Sequence, residues 1–329
     1  MSNVAKQTFL VTGGTGFIGS GITRRLVREG HRVRVLDDNS RGAERRLADL
    51  RADFELLEGD VRDPFTVDRA VQGVDAVHHL AFVNGTEHFY SMPELVLEVG
   101  VKGMMNVVDA CRRHGVGKLF LASSSEVYQT PPGIPTAEDV PLVVPDPMNP
   151  RYSYGGGKII SELLAINFGR KYFERVVIYR PHNVYGPDMG WEHVIPQFIV
   201  RTQRLSQEQP QGSIRFPIQG TGQETRSFCY IDDLVDGVML AQEKGAHLGI
   251  YHIGTREEVS VADLARRVAA CLGREIALEP GQLSAGSTQR RCPDISKLAA
   301  CGYSPRFSLE EGLPIICDWY RKHPSAGVL

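Results

Sequence analysis

Cysteine is scarce in this chain and badly placed for cross-links or metal. The six cysteines (Cys111, Cys229, Cys271, Cys292, Cys301 and Cys317) form no C-x-x-C pair and stand at no ligand spacing from histidine. That excludes a disulfide framework and a zinc site, and leaves free thiols. Long apolar runs are missing too. The amino terminus, MSNVAKQTFLVTGG, carries no charged segment leading into an apolar stretch, and no later stretch reaches membrane-spanning length. Excess charge is absent, with 37 Lys and Arg against 39 Asp and Glu and a formal net charge of -2. A bulk electrostatic surface for nucleic acid is thereby excluded, although a local basic cleft for phosphate is not. No repeat or low-complexity tract occurs. The expectation is a cytoplasmic protein without metal, membrane or nucleic-acid partners.

What is present is an ordinary globular composition, 42% hydrophobic and 23% charged over 329 residues. Such a length makes one large domain or two intimately joined ones. Apolar β-branched runs at Phe9–Thr12, Val33–Leu36, Phe54–Leu57, Ala76–Leu80, Leu119–Ala122 and Val176–Tyr179 read as buried strands. They alternate with helical stretches at Ile18–Arg28, Leu95–Arg113 and Lys158–Arg170. Strands alternating with helices predict a parallel sheet covered on both faces, an α/β doubly wound architecture. Beyond Pro181 the alternation is lost. Residues 1–182 and 228–255 are expected to form the dinucleotide-binding domain. Residues 183–227 and 256–329 form a smaller C-terminal α/β lobe for substrate.

The strongest motif is Gly13-Gly14-Thr15-Gly16-Phe17-Ile18-Gly19, between the first strand and the first helix. Glycines at 13, 16 and 19 permit a tight turn, close approach of backbone to a pyrophosphate, and close packing of helix on strand. The helix amino terminus then turns unpaired N–H groups and its positive dipole end to the phosphates. Asp37 ends the second strand 18 residues beyond Gly19, near the separation of about 20 expected for an acid that binds the ribose hydroxyls. Its carboxylate repels a 2′-phosphate and selects NAD over NADP, with Asp38 adding to the repulsion. Asn39 and Ser40 follow it in the same loop. Arg41, which could serve a 2′-phosphate, is read as solvated. Asp60 and Val61 after the third strand can meet the adenine, and Leu80 and Ala81 after the fourth let backbone approach the cofactor. On spacing alone Asp60 is equally a turn acid.

Tyr154-Gly155-Gly156-Gly157-Lys158 places a phenol and an ammonium four residues apart, on one face of a helix. A phenol ordinarily titrates near about 10, and a neighbouring ammonium favours its phenolate. Three successive glycines there point to close approach by substrate or cofactor. Taken alone, Tyr-x-x-x-Lys reads as surface decoration.

The order of these motifs, with Ser123-Ser124-Ser125-Glu126-Val127-Tyr128 between them and Arg180-Pro181-His182-Asn183-Val184-Tyr185-Gly186-Pro187 after them, resembles the extended short-chain dehydrogenase/reductases. Within these it is similar to the NAD-dependent epimerase/dehydratase family, and the likeness continues through Thr225-Arg226-Ser227-Phe228 to Arg291-Cys292-Pro293-Asp294. The resemblance implies a Rossmann fold, bound NAD, a nucleotide-diphosphate sugar as substrate, and a homodimer built on the stretches Leu95–Arg113 and Lys158–Arg170. By position it makes Ser124 the partner of the reacting hydroxyl, Tyr154 the base, and Lys158 the holder of the nicotinamide ribose. Ser125, Asn183, Arg226 and, less directly, Arg291 fall at substrate-contacting positions. Without the family, Arg226 reads as a salt-bridged surface residue.

Departures from the pattern also carry information. The family often has Asn at the position of Gly100, and dehydratases commonly present Thr-Asp-Glu where this chain has Ser124-Ser125-Glu126. The missing aspartate counts against elimination of water. Ser-Glu-Val-Tyr also resembles the uronate decarboxylases, which gives Glu126 a catalytic reading. A 4-epimerase working through a transient 4-keto sugar is the leading expectation. Dehydration or decarboxylation through Glu126 is the alternative, and a non-catalytic dinucleotide sensor has no need of Ser124, Tyr154 and Lys158.

Overall fold

Strands apolar on both faces need helices on both faces, and the chain supplies the two in alternation. In the computed structural model, which describes residues 6–282, 286 and 288–323, β1 (Thr8–Thr12) leads into α1 (Phe17–Arg28), β2 (Arg32–Asp37), β3 (Glu55–Glu58), α2 (Pro64–Val71) and β4 (Ala76–His79). Then come α3 (Thr86–Ser91), α4 (Pro93–Leu97), α5 (Gly103–His114), β5 (Lys118–Ala122), α6 (Tyr152–Tyr172) and β6 (Arg175–Pro181). The tips of the expected domain spans, 1–5 and 324–329, and residues 283–285 and 287 lie outside the described residues.

The sequence continues through β7 (Val184–Tyr185), α7 (Val194–Glu208), β8 (Ile214–Ile218), β9 (Thr225–Ser227), β10 (Cys229–Tyr230), α8 (Ile231–Lys244) and β11 (Gly249–Ile253). It closes with β12 (Glu258–Ser260), α9 (Val261–Cys271), β13 (Ile276–Pro280), β14 (Arg290–Arg291), α10 (Ser296–Ala299) and α11 (Leu309–Lys322). Seven strands form one parallel sheet in the order β11-β6-β5-β4-β1-β2-β3. Leu10, Val77, Leu119, Leu121, Val176 and Ile178 bury one face under α2, α5 and α6. Phe9, Val11, Val35, Phe120 and Val177 bury the other under α1 and α8. This is the doubly wound Rossmann sheet. Because β4 returns to the far side of β1, the connections diverge there and open a crevice beyond the strands' carboxyl ends.

The strand expectations hold to within about a residue at most ends. The later stretch behaves as anticipated in one respect, since β11 rejoins the main sheet beside β6. Two small sheets, β12-β9-β14 and β13-β8, lie outside it, and α7, α9 and α11 pack around Ile195, Phe198, Phe216, Leu264 and Ile316. The stretch read as one helix, Leu95–Arg113, is not one α-helix. A π-turn at Glu98–Lys102 joins α4 to α5, the kind of insertion that clusters at functional sites. Its glycines admit close packing: a Cβ on Gly100 would stand 2.2 Å from the Phe82 ring, and one on Gly103 2.7 Å from Val61.

α6 is tied to the sheet by a buried polar network. Glu162 and Arg180 are each 2% exposed and pair at 2.6 Å. Arg180 donates to both carboxylate oxygens of Glu162, through Nε at 2.8 Å and Nη2 at 2.6 Å. It also donates to the Tyr128 phenol and to the Glu138 carbonyl. Ser123 Oγ donates to Glu162 as well. Burial acts to lower the Arg180 pKa, but Glu162 outweighs it and the net direction is up. Removing one partner of a buried pair strands the other charge, at a cost of about 3–5 kcal/mol. Glu162→Ala should therefore lose stability on that scale in urea unfolding, and adding Arg180→Met should recover part of it. An unshifted urea midpoint for Glu162→Ala would contradict this account.

Candidate active site

The crevice of about 670 Å³ at the β1/β4 divergence is lined by Gly13, Gly16, Phe17, Ile18, Gly19, Asp37, Ser40, Asp60, Val61, Leu80 and Ala81, and by Tyr154 and Lys158 farther in. Gly13 has φ +72, and a Cβ there would stand 2.8 Å from the Ala81 nitrogen. A Cβ on Gly19 would stand 2.0 Å from the Gly13 carbonyl, whereas one on Gly16 would meet nothing closer than 3.1 Å. The first and last glycines thus let protein pack on protein, and the middle one keeps the crevice floor clear. The opening N–H groups of α1 have no partner within the helix and face this space. Backbone donors on an uncluttered floor fit a dinucleotide pyrophosphate.

Asp37 is buried and accepts from the backbone N–H groups of Thr15 at 2.9 Å and Asn39 at 3.0 Å. Asn39, at φ +55, turns its side chain onto Thr15, whose hydroxyl donates to Asn39 Oδ1 at 2.9 Å. Unlike Ser40, it does not line the crevice. Asp60 lines the crevice yet accepts from the Arg62 backbone at 2.8 Å and from its guanidinium at 2.6 Å, so the turn-acid role is occupied as well. Arg41, read as solvated, is 27% exposed, lines the crevice and stands 3.6 Å from Glu192. Two more arginines, in the 3-10 turn Glu44–Leu50 that follows, also line the crevice. Arg45 meets Asp188 at 2.5 Å and Arg46 meets it at 3.2 Å. Sequence reasoning missed this strap because its ends lie more than a hundred residues apart.

Ser124, Tyr154 and Lys158 converge at the inner end. Ser124 Oγ accepts from the Glu126 N–H at 3.1 Å and stands close enough to the Tyr154 phenol to act on its titration. Lys158 Nζ donates to the Ala122 carbonyl at 2.7 Å. Burial pushes Tyr154 well above the usual phenol range, Ser124 draws it back in part, and Glu126 pushes it up again. Burial also lowers Lys158 to about 7, against the opposing pull of Glu162. The glycine triplet needs correction: the approach it permits is by protein. A Cβ on Gly155 would stand 2.4 Å from Gln129 and 2.8 Å from the Glu126 carbonyl, and one on Gly157 3.1 Å from Phe82.

On the substrate side, Glu126 pairs with Arg291 at 2.7 Å. Burial acts to raise Glu126, but Arg291, Arg151 and Arg226 together turn its pKa downward. Arg226 is no surface residue; it donates to the Thr225 and Thr288 carbonyls, each at 2.7 Å. Asn183, at φ +36, spends its amide on the Ser227 carbonyl at 2.8 Å. Ser125 is buried in the short 3-10 turn that Ser124 caps. Glu162 and Arg151 went unnoticed in the sequence, although an acid four residues beyond Lys158 was a visible signal for the former.

The family model described as NAD dependent epimerase/dehydratase family matches residues 9–254. UDP-glucuronic acid decarboxylase 1 of Arabidopsis thaliana is 32% identical over 95% of this chain and 69% of its own length. UDP-glucuronic acid decarboxylase 6 of the same plant is 31% identical over 96% and 90%. The crystal structure of DesIV, a dTDP-glucose 4,6-dehydratase from Streptomyces venezuelae with NAD bound, superposes with a TM-score of 0.85 at 29% identity, covering 96% of this chain and 97% of that one. UDP-glucose 4-epimerase of Thermotoga maritima with UDP-glucose gives 0.85 at 26% identity, covering 97% and 100%.

The position of Asp37 generates a test of cofactor choice. NAD should bind the purified protein at least tenfold more tightly than NADP in calorimetry. Asp37→Ala should narrow that gap by roughly tenfold or more, the worth of a charge-assisted hydrogen bond of about 1.5–3 kcal/mol. Equal affinities in the unsubstituted protein would remove Asp37 from this role.

Proposed function

Because the chain belongs to the NAD dependent epimerase/dehydratase family, we propose that it oxidises a nucleotide-diphosphate sugar at C4 and then reduces the keto sugar on its other face, as a 4-epimerase. The observation that carries this reading is that Tyr154 and Lys158 line the inner end of the glycine-floored crevice, with Ser124 acting on the Tyr154 phenol. Bound NAD would accept hydrogen from C4 and return it. Gly13, Gly16, Gly19 and Asp37 would hold that cofactor, with Lys158 on its second ribose.

Tyr154 takes the C4 hydroxyl proton while Ser124 holds the same oxygen. Burial keeps the resting phenol protonated, so positive charge near Tyr154, from Lys158 and from the loaded site, makes the phenolate accessible. Arg226 and Arg291 anchor the diphosphate, since guanidinium forks suit phosphate oxygens. An anchored diphosphate lets the keto sugar turn without leaving. We place the nucleotide sugar in the lobe of 183–227 and 256–323, at its seam with the sheet.

Decarboxylation is the second reading, favoured by the names of the decarboxylase relatives. Oxidation at C4 of a uronate makes a β-keto acid. The C5–C6 bond then breaks, carbon dioxide leaves with the carboxylate carbon, and the electron pair stays on C5 until a proton arrives. In this reading Glu126 supplies that proton, and Arg291, which draws it toward the carboxylate, opposes the step. This favours epimerisation.

A homodimer is part of the proposal. Leu97 on α4 with Ile160 and Leu163 on α6 are 38%, 39% and 54% exposed, an apolar surface that a second copy would cover. A cytoplasmic site of action is also proposed. No helix among the described residues is long and apolar enough to cross a membrane, and no metal-binding cluster occurs among them.

A panel of nucleotide sugars and uronates with product mass and stereochemistry recorded tests the reading. An unchanged mass with inverted C4 is expected, whereas loss of carbon dioxide selects the second reading and overturns the first. Tyr154→Phe should lose roughly a hundredfold or more in kcat with its fold intact, the range of a positioned acid/base. Glu126→Gln should be tolerated by an epimerase and should stall a decarboxylase after oxidation, with reduced cofactor accumulating. A Tyr154→Phe enzyme at full rate on the confirmed substrate refutes the mechanism.

A further inference from the structure

Lys158 is 3% exposed, and its surroundings supply little to keep an ammonium there. Its one hydrogen bond runs to the neutral Ala122 carbonyl of β5. Among the described residues no carboxylate forms an ion pair with it. The acid that acts on it, Glu162 on its own helix, already serves Arg180 and Ser123. From β4, His79 faces it, buried and held in the neutral form. Tyr154, one turn earlier, is a protonated phenol at rest. An ammonium has three donors, and the hydrogen bonds described satisfy one of them.

The remaining contact is aromatic. Phe82, in the loop after β4, presents its ring face to Lys158 with Nζ 4.0 Å from the centroid, while the Tyr154 ring is farther at 5.8 Å. The same Phe82 ring meets Tyr154 edge-on at 5.1 Å and 79°, and Phe89 stacks on Tyr154 at 4.9 Å and 20°. Phe82 can sit there only because two helices give way. A Cβ on Gly100 would fall 2.2 and 2.4 Å from its ring carbons, and one on Gly157 3.1 Å. The first glycine lies in the π-turn and the second one residue before Lys158 itself.

We propose that Phe82 is a positioning residue for Lys158, its ring seated between Gly100 and Gly157 so that its face holds the ammonium beside Tyr154 and sustains its positive charge. A cation over a desolvated ring face is stabilised by the ring quadrupole by about 0.5–2 kcal/mol. This opposes the burial that draws Lys158 down. The space that an asparagine side chain could take at position 100 is given instead to a π face. The inference rests on the roles proposed above for Lys158 and Tyr154, but its decisive measurement does not.

That measurement is the pH dependence of Lys158 acetylation by acetic anhydride in the cofactor-free protein, read by peptide mass spectrometry. The ring favours the charged form, so its removal must lower the midpoint. Phe82→Leu should move it down by roughly half a unit to one unit, since about 1.4 kcal/mol corresponds to one pH unit. Phe82→Tyr keeps a ring face and should leave it in place. Gly100→Ala must displace the ring and should move the midpoint the same way as Phe82→Leu, which preserves the comparison if the leucine variant does not fold. In the confirmed reaction, the alkaline limb of kcat/KM should follow the same shift. A midpoint unmoved in Phe82→Leu, or in Gly100→Ala where that stands in for it, overturns the proposal, even if thermal stability falls. Failure of Tyr154→Phe to impair turnover would instead overturn the functional reading and leave the Lys158 midpoint as measured.

Discussion

The Glu162–Arg180 pair is the constraint to which the rest of the site is referred. Burying two charges costs several kcal/mol per ion unless each is fully hydrogen-bonded, and here the surroundings meet that demand. Ser123 from the end of β5, Tyr128 from the following turn and the Glu138 carbonyl all close on the pair. The Tyr128 phenol in turn meets His252 Nε2 at 2.5 Å at the end of β11. One ion pair thereby fixes α6 in rotation and translation against three adjacent strands. Tyr154, Lys158 and Glu162 lie at successive four-residue steps, so fixing the last fixes the aim of the first two. Hydrophobic packing alone would not do this, because apolar contacts tolerate small slides along a helix.

Around that anchor, burial works in opposite senses on two neighbours. It raises the phenol and lowers the ammonium, so each group is pushed toward its neutral form. Burial alone would leave both neutral and chemically idle, but Lys158, lowered to about 7, keeps part of its charge. Incoming charge is what makes them reactive, and the crevice is built to receive it: backbone donors on the glycine floor, Asp37 at one end, and arginines gathered beyond Glu126 at the other. The strap of Arg45, Arg46 and Asp188 lines the same crevice, its two guanidiniums sharing one carboxylate and leaving one positive charge over.

Much of this was legible from local sequence. The alternation of apolar strands with helices gave the parallel sheet, and the glycine motif with Asp37 located the crevice. Tyr154 and Lys158 could be paired because a helix makes four-residue neighbours adjacent whatever surrounds them. What escaped has a common physical character, since each missed feature joins residues far apart in the chain. The strap links Arg46 to Asp188, the network links Tyr128 to His252, and the Phe82 seat depends on glycines at 100 and 157. The small sheet β12-β9-β14 has strands of two or three residues, too short for any periodicity to register. The glycine triplet was visible but misattributed, because absence of a side chain records close approach without saying what approaches. The π-turn was hidden for a similar reason: helical periodicity at Leu95–Arg113 continues through an inserted residue.

The position of β11 in the sheet has a consequence for the nascent chain. β6 pairs with β5 on one side, but its other edge is completed by residues 249–253, about seventy residues farther along. At about 5–20 residues per second, a ribosome needs roughly three to fourteen seconds to deliver them. Throughout that interval Val177, Ile178 and Tyr179 form a strand edge with unpaired backbone groups and apolar side chains, the type of edge that recruits other chains. At the opposite margin β3 has four residues, with Glu55 at one end and Glu58 at the other, and deters such pairing by charge. The half-made β6 edge is guarded only at its ends, by Arg175 and by Arg180 with Pro181, so its apolar middle depends on whatever shields it while translation proceeds.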